Sequence, residues 1–308
     1  MFKMYHYTAY GIPIISELCL PELTPQEHKM QAIVDAVTIK IGDVNPDGLE
    51  APTTKGLFYQ VTAQQMWLHV PPIGYFLVTD GHLITVSPAA EIDEDSLREY
   101  IFSLCLGVIL LQRGLFVLQG STIKMGFHCF SIIGHSGVGK STLTAAFLKR
   151  GYDILADDFT AIHQQGHVLP GLPLLKIWFD AAKKLEIETA SLKKIRPRIQ
   201  KFILPVGERF HDKALPLKMI YLLDDMQQSE YTYNPILGVK KIPCLQNVIY
   251  RKSSLRGLDK EKHLLMCSIK IASQVAMTRI TRPHDEFKLE ECVDFIEKDL
   301  SDRGIIHG

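Results

Sequence analysis

The stretch Gly134–Ser141 reads GHSGVGKS, and this pattern constrains the fold more than any other feature of the chain. Such a loop needs a β-strand before it and an α-helix after it, because its backbone N–H groups must converge on one hollow that cradles phosphate oxygens. His128–Ile133 (HCFSII) is apolar and partly β-branched, and Ser141–Arg150 (STLTAAFLKR) has the composition and spacing of a helix. The sequence therefore predicts an α/β domain built around a P-loop that binds a nucleoside triphosphate.

The residue types of the loop indicate what each position does. The glycines let the backbone turn, Lys140 supplies a charge for the β- and γ-phosphates, and the Ser141 hydroxyl is placed to ligate Mg²⁺. The N-terminus of the following helix adds its own positive end. The residues predicted to bind ATP are Gly134, His135, Ser136, Gly137, Val138, Gly139, Lys140, Ser141 and Thr142. The alternative is a glycine-rich turn with a purely structural role.

A pair of carboxylates, Asp157 and Asp158, follows the next predicted strand, Tyr152–Ala156. A strand, a short helix and a second strand make a right-handed crossover with the two strands parallel. Both strands then end at the sheet edge where ligands bind, so the aspartates should face the triphosphate. One carboxylate can hold magnesium while the other accepts a proton from an attacking hydroxyl. The alternative is an Asp-Asp pair that only caps a turn or a helix.

The loop and the acid pair together resemble a known family. GHSGVGKST followed by RGYDILADD is similar to the catalytic core of the HPr kinase/phosphorylase family. Four further stretches resemble the HPr-kinase-related serine kinases: YGIPIISELCLPEL (Tyr10–Leu23), LQGS (Leu118–Ser121), PGLPLLKIWFDA (Pro170–Ala181) and MTRITRPHD (Met277–Asp285). The resemblance implies an α/β protein in which a smaller β-rich N-terminal domain precedes a P-loop kinase domain of the HPr kinase type. It also implies an ATP- and Mg²⁺-dependent enzyme that phosphorylates a serine hydroxyl.

The same resemblance implies roles for individual residues. Asp157 matches the proton-accepting aspartate of the family, and its partner Asp158 holds magnesium together with Ser141. Gln119 stands where the family usually has a histidine, so it can hydrogen-bond a phosphate or Asp157 but cannot titrate. The predicted catalytic residues are thus Asp157, Lys140 and Gln119. No Arg-Gly-rich signature of phosphorolysis follows the aspartates, which predicts kinase activity without the reverse phosphorylase reaction.

The phosphoryl acceptor is left open by the sequence. Related kinases include those that phosphorylate the C-terminal serine of lasso-peptide precursors, and the segment Tyr10–Leu23 is similar to their opening, which makes such a precursor the leading acceptor. HPr, or another small-molecule or protein serine, is the second candidate. The third interpretation is a binding module that uses ATP as a switch and transfers nothing. The paired aspartates argue against a switch, since a binder needs only one metal carboxylate.

Composition and patterning bound the remaining classes. Lys+Arg and Asp+Glu balance at 34 each, so the chain has no global basic field for nucleic acid. The six cysteines are scattered without Cys-x-x-Cys spacing, which is typical of reduced core thiols. The longest apolar run, Ile101–Leu111, is too short to span a bilayer. We expect a cytoplasmic protein with neither nucleic-acid nor membrane partners.

Pattern changes divide the chain into a β-rich domain over residues 1–92 and a catalytic domain over 93–308. Asp80-Gly81 has the composition of a two-residue hairpin turn, and Ser96 with Glu99 forms a capping box for a helix that runs to about Gln112 and is closed by Gly114.

The second half offers fewer signals. A basic cluster is either a solvated loop or a contact for the γ-phosphate or an acidic substrate; its members are Lys193, Lys194, Arg196, Arg198 and Lys201. Arg279 and Arg282 either clamp phosphate or pair with surface carboxylates. The amphipathic C-terminal helix packs against the body or forms a homo-oligomer contact.

Overall fold

The strand, loop and helix predicted around the glycine-rich pattern are present in the computed structural model, which describes residues 3–26, 35–226, 230–254, 256–283 and 287–305. The chain is a mixed α/β protein with several sheets, and it folds as two units. The first unit comprises Met1–Val117 and Arg251–Met266, and the second comprises Leu118–Tyr250 and Cys267–Gly308. The domain boundary after residue 92 stays a prediction.

Nine strands form the sheet of the first unit. They are β1 (Tyr5–Ala9), β2 (Ile12–Ser16), β3 (Thr24–Pro25), β4 (Val37–Ile41), β5 (Thr54–Lys55), β6 (Tyr59–Val61), β7 (Gln65–Val70), β8 (Gly74–Thr79) and β9 (Leu83–Pro88). Their order is β3-β1-β2-β4-β9-β8-β7-β6-β5. Asp80, Gly81 and His82 join β8 to β9, and the positive φ angles of Asp80 (50°) and Gly81 (70°) are what a type I′ turn requires. The predicted hairpin is confirmed.

The helical segment that follows β9 begins earlier than predicted. It consists of α1 (Glu94–Tyr100), a π-helical turn (Ile101–Cys105) and α2 (Leu106–Gln112), followed by Gly114 at φ 76°. Asp93 caps α1, because its carboxylate accepts hydrogen bonds from the Ser96 N–H (2.7 Å) and from the Ser96 hydroxyl (2.8 Å). The capping box that starts at Ser96 is therefore wrong: a carboxylate three residues earlier takes the exposed N–H groups.

The second unit contains the remaining elements. Its strands are β10 (Phe116–Met125), β11 (His128–Ile133), β12 (Ile154–Ala156), β13 (Phe159–Ile162), β14 (His167–Val168), β15 (Leu174–Trp178), β16 (Lys193–Lys194), β17 (Lys201–Pro205), β18 (Leu215–Met226), β19 (Thr232–Pro235) and β20 (Ala276–Pro283). Its helices are α3 (Lys140–Lys149), α4 (Phe179–Lys184), α5 (Lys241–Asn247), α6 (Glu261–Gln274), which begins in the first unit, and α7 (Leu289–Asp302). Strands β15, β17 and β16 form a separate three-stranded sheet.

Strands β11 and β12, which were predicted to be parallel, are not direct neighbours in the sheet. The strand β10 lies between them and runs antiparallel to both, with Gly120 opposite Ile133 and Ile123 opposite Ile154. Because two strands that are each antiparallel to a third run in the same direction, the end of β11 and the end of β12 still lie at one sheet edge. The predicted parallel direction and the shared sheet edge are confirmed.

Three parallel strands bring further side chains to the same edge. Strand β18 pairs in parallel with β11 on one side and with β20 on the other. Asp225 near the end of β18 lies opposite Arg282 near the end of β20. The P-loop, which follows β11, is therefore flanked by polar residues from two neighbouring strands.

The core of the second unit packs helices α3 and α7 against this sheet. The Phe147 ring of α3 is fully buried, and its centroid lies 5.2 Å from the Phe130 ring of β11 in an edge-to-face arrangement. Helix α7 contributes a buried apolar stripe made of Cys292, Val293, Ile296 and Leu300. This stripe packs within its own unit, so the predicted amphipathic helix is confirmed, while the homo-oligomer stays a prediction.

Within the described ranges, no helix combines the length and the apolar character needed to cross a bilayer.

Truncation of Phe147 should show how strongly the core holds the P-loop helix. We expect Phe147→Ala to lower the free energy of unfolding by about 3–5 kcal/mol, because it leaves a cavity between α3 and β11. Phe127→Ala is the matched control, since that phenylalanine of the same unit is 90% exposed and should change stability by less than about 0.5 kcal/mol. Urea unfolding monitored by circular dichroism measures both; equal effects would contradict the packing described above.

Candidate functional site

Two glycines of the P-loop, Gly134 and Gly139, cannot be replaced without a clash. A Cβ atom on Gly134 would lie 2.4 Å from the Leu223 carbonyl oxygen, and one on Gly139 (φ 106°) would lie 2.6 Å from the Phe287 ring. The loop is thus pressed between the end of β18 and the chain that follows β20. This close fit explains why glycine stands at positions 134 and 139.

Side chains outside the loop hold it in place. Val138 is buried in the core of the second unit, and its carbonyl oxygen accepts a hydrogen bond from Arg282 Nε at 3.0 Å. The Arg282 guanidinium also lies 5.0 Å from the Phe287 ring centre and 3.5 Å from Asp225. Arg282 was predicted either to clamp phosphate or to pair with surface carboxylates. Neither alternative describes it fully, because Arg282 is buried and hydrogen-bonds the backbone of the loop. Arg279 pairs with Asp224 at 3.6 Å.

Lys140 occupies the first position of α3, with its ammonium directed back into the loop. Its Nζ donates to the His135 carbonyl oxygen at 2.7 Å. Burial lowers the pKa of Lys140, although the carboxylates of Asp157 and Asp158 act in the opposite direction. The lysine charge therefore lies in the field of both predicted acidic residues.

Asp157 connects three separate elements through one buried carboxylate. Its Oδ1 accepts hydrogen bonds from the Ser121 hydroxyl of β10 at 2.6 Å and from the Ser141 hydroxyl of α3 at 3.2 Å. Its Oδ2 accepts from the Lys176 backbone N–H of β15 at 3.0 Å. The side chain is held with three donors around it, and only 6% of the residue is exposed. This carboxylate therefore cannot turn away from the P-loop without losing several buried bonds.

Asp158 faces a different partner. Its residue has φ 65°, a left-handed conformation that aspartate tolerates better than most side chains. Its Oδ2 lies 2.7 Å from the Nζ of Lys176, and the Lys176 side chain is only 3% exposed. The sequence predicted that Asp158 and Ser141 share a metal, but the Ser141 hydroxyl contacts Asp157 in this structure.

The pKa values of the Asp157 and Asp158 carboxyl groups are shifted in opposite directions. Burial raises the pKa of the Asp157 carboxyl above its ordinary value, and the Asp158 charge adds to the rise. Burial also opposes ionisation of Asp158, but the ammonium groups of Lys176 and Lys201 hold its pKa below the ordinary value. Neighbouring carboxylates with separated pKa values are typical of sites that divide proton handling from charge stabilisation.

Gln119 reaches the site through its backbone. Its carbonyl oxygen accepts from the Gly134 N–H at 3.2 Å, and the adjacent Gly120 N–H donates to the Asp158 carbonyl oxygen at 3.2 Å. A Cβ atom on Gly120 would lie 2.8 Å from the Ile132 carbonyl oxygen, so only glycine fits there. The main chain of β10 thus links the start of the P-loop to the acid pair.

The structure brings together most, but not all, of the predicted site residues. Lys140, Ser141, Asp157 and Asp158 lie close enough to interact directly or electrostatically. His135, Ser136 and Gly137 form the exposed rim of the loop.

Sequence reasoning gave no role to Ser121 or Lys176. Lys176 does carry a signal in the sequence, because a lysine inside the apolar run LLKIW needs a buried acidic partner. Ser121 carries none, since its contact depends on the pairing of β10.

Comparisons with known proteins add little to this geometry. No protein-family model matches the chain, and no curated protein matches its sequence. Among solved structures, the chain is similar to an HPr(Ser) kinase/phosphatase from Coxiella burnetii, with 12% sequence identity and a TM-score of 0.28, over 60% of this chain and 98% of that chain. A TM-score of this size does not establish a common fold.

The Lys176–Asp158 ion pair should be detectable by a double-mutant cycle. We expect Lys176→Met to lower the free energy of unfolding by about 3 kcal/mol, because it leaves the Asp158 charge without its buried partner. Asparagine tolerates a left-handed backbone, so Lys176→Met combined with Asp158→Asn should recover most of that loss. Urea unfolding gives the free energy of unfolding of Lys176→Met, of Asp158→Asn and of the double variant. If the double variant is as unstable as the sum of the single ones, the pair contributes nothing.

Ionisation of Asp157 should destabilise the protein in the absence of ligand. Because its folded-state pKa is raised, the folded protein holds this proton more tightly than the unfolded chain, and stability falls as the pH rises from about 4 through the folded-state pKa. The amide introduced by Asp157→Asn has no proton to lose and can keep all three hydrogen bonds, with its NH₂ group donating to the serine hydroxyls. We therefore expect the variant to gain stability relative to wild type as the pH rises. A difference that stays constant from pH 4 to pH 8 would contradict this.

Proposed function

We propose that this protein is an ATP- and Mg²⁺-dependent kinase that transfers the γ-phosphoryl group of ATP to a serine hydroxyl. The main support is the 3.2 Å contact between the Ser141 hydroxyl and the Asp157 carboxylate, because it joins a P-loop to an acid pair. Phosphoryl transfer requires little covalent chemistry from the protein, so catalysis depends on positioning the reactants and neutralising charge. The site offers groups that can position the reactants and groups that can neutralise charge.

The residues present suit magnesium. Ser141 and the two aspartates supply hard oxygen donors, and Mg²⁺ typically takes one or two carboxylates and completes its shell with water and substrate phosphates. In this proposal Ser141 and Asp158 hold the ion, as the sequence predicted. When bound, the metal would neutralise charge on the β- and γ-phosphate oxygens. Lys140 would bind the same phosphates after leaving the His135 carbonyl.

Two observations bear on how the aspartates divide the work. The raised pKa of Asp157 favours it as the proton acceptor, since a carboxylate with a higher pKa is the stronger base. The Ser141 contact favours the reverse division, because it places Asp157 beside the hydroxyl assigned to the metal. We take Asp157 as the proton acceptor. The magnesium dependence of Asp157→Asn and Asp158→Asn decides between the two, since only the loss of a metal-holding carboxylate raises the Mg²⁺ concentration needed for activity.

A serine of a peptide or protein is the proposed acceptor, with the C-terminal serine of a lasso-peptide precursor as the leading specific candidate. The support for that candidate is the resemblance of Tyr10–Leu23 to the opening of such kinases. HPr or another small acceptor is the alternative. We propose no phosphorylase activity, and Gln119 acts in this scheme by holding the loop and the acid pair through its main chain.

Mass spectrometry separates this kinase from a binding module that uses ATP only as a switch. Protein and Mg-ATP are mixed with synthetic acceptors: a lasso precursor peptide with a C-terminal serine, the same peptide with a C-terminal alanine, and HPr. We expect a phosphoryl group on the serine peptide alone. No phosphorylation of any of the three, with ATP binding intact, would favour the switch and contradict the kinase.

Two variants should separate binding from transfer in that assay. We expect Asp157→Asn to lower turnover by at least about 100-fold while the dissociation constant for ATP changes little, because it removes the proton acceptor and leaves the phosphate contacts. Lys140→Ala should weaken ATP binding and turnover together, because it removes a charge from the phosphates. Calorimetric titration with ATP and initial-rate measurements give both quantities. Near-normal turnover of Asp157→Asn would show that the catalytic assignment is wrong.

A further inference from the structure

The three-stranded sheet of β15, β17 and β16 presents one face to the acid pair. In the antiparallel register of β15 with β17, Lys176 lies opposite Ile203 and Trp178 lies opposite Lys201. Residues directly opposite share a face, and residues two apart on one strand share a face as well. Lys176, Trp178 and Lys201 therefore project to the same side. Because the Lys176 ammonium on that side reaches Asp158 at 2.7 Å, Lys201 is directed toward the same acidic site.

Among the described residues, no carboxylate neutralises the charge of Lys201 at contact distance. Its side chain is half-buried, and its Nζ lies 5.8 Å from the centre of the Trp178 ring, which is itself half exposed. In the described part of the chain, the Lys201 ammonium makes no ion pair. Lys176, by contrast, forms an ion pair with Asp158.

The Lys201 charge nevertheless acts on three ionisable groups around the proposed phosphate position. It lowers the pKa of Asp158 and of Asp157, and it lowers the pKa of Lys140. Lys140 approaches from the P-loop, and the aspartates approach from the end of β12. A cation that acts on all three groups lies near them, and the end of a bound triphosphate would lie near the same groups.

Charge balance indicates what this cation is for. Without Lys201, the charges of Lys140 and Lys176 are balanced by those of Asp157 and Asp158. Incoming triphosphate then adds more negative charge than one magnesium ion neutralises. Enzymes that transfer phosphoryl groups typically place a further cation on the terminal phosphate oxygens.

We infer that Lys201 of β17 binds the terminal phosphoryl group of the nucleotide, as a second lysine in addition to Lys140 of the P-loop. This inference rests on the proposed function only in so far as the P-loop binds a nucleoside triphosphate. Lys201 distinguishes a triphosphate from a diphosphate, because its charge meets the group that only the triphosphate has. Trp178 beneath the ammonium keeps the side chain extended toward the site.

The sheet provides a matched control in Lys194. This lysine of β16 is also half-buried, and its Nζ lies 5.9 Å from the Phe202 ring centre. Lys194 lies opposite Phe202, which neighbours Lys201 on β17, so Lys194 projects to the other face of the same sheet. Lys194→Met therefore removes an equivalent cation–aromatic contact without touching the acidic site.

Calorimetric binding of Mg-ADP and of Mg-AMP-PNP, a triphosphate analogue that is not hydrolysed, tests the inference without any acceptor. We expect Lys201→Met and Lys201→Gln to weaken AMP-PNP binding by roughly tenfold or more, the effect of losing one charge-assisted hydrogen bond, and to leave ADP binding within about twofold. Lys194→Met should leave both affinities unchanged. Thermal unfolding checks that each variant is folded, and Lys201→Arg should retain most of the AMP-PNP preference.

The result separates this inference from the kinase proposal. If the Lys201 variants lose affinity for both nucleotides equally, or for neither, Lys201 does not contact the terminal phosphate, whatever the acceptor assay shows. Equal affinity of the wild type for ADP and AMP-PNP would overturn it too. If the triphosphate preference depends on Lys201 but no acceptor is phosphorylated, the lysine assignment stands and the kinase proposal fails.

Discussion

The geometry of the site depends on one buried carboxylate. Asp157 accepts hydrogen bonds from β10, α3 and β15, so three elements that are far apart in sequence meet at a single side chain. A buried charge is costly unless donors surround it, and the donors are placed by the folding of all three elements. The P-loop, the acid pair and the small sheet of β15, β16 and β17 are therefore positioned together. The hydrogen bonds of Asp157 that hold these elements together are also those that position the proposed catalytic group.

Local patterns predicted the parts of the site that lie close in sequence. The strand before the P-loop, the helix after it and the hairpin at Asp80-Gly81 follow from residue types and spacing, because each is stabilised by contacts within a few residues. The neighbour of β11 could not be predicted, for a physical reason. Local apolar runs give the strands but not their order, and β10, which precedes the loop, inserts between β11 and β12.

Residues whose roles depend on strand register could not be found from the sequence. Lys176 is visible as a lysine in an apolar run, but its partner is known only once β15 lies against the end of β12. Lys201 belongs to a basic cluster in which any member could have been chosen. The register of β15 with β17 singles it out, since the alternation of side chains sends Lys194 and Lys201 to opposite faces. At α1 the competition was local: Asp93 and Ser96 are both good caps, and the carboxylate prevails.

The main-chain bonds at Gln119 and Gly120 have a consequence for how this site can evolve. Peptide groups, which every amino acid carries, set the spacing between the start of the loop and Asp158. The side chain at position 119 is therefore not needed to set this spacing, whereas position 120 has no room for a side chain. A substitution of Gln119 would therefore leave these main-chain hydrogen bonds in place. At these two adjacent positions, the side chain at 119 can change without loss of the backbone framework, whereas a change at 120 would disrupt it.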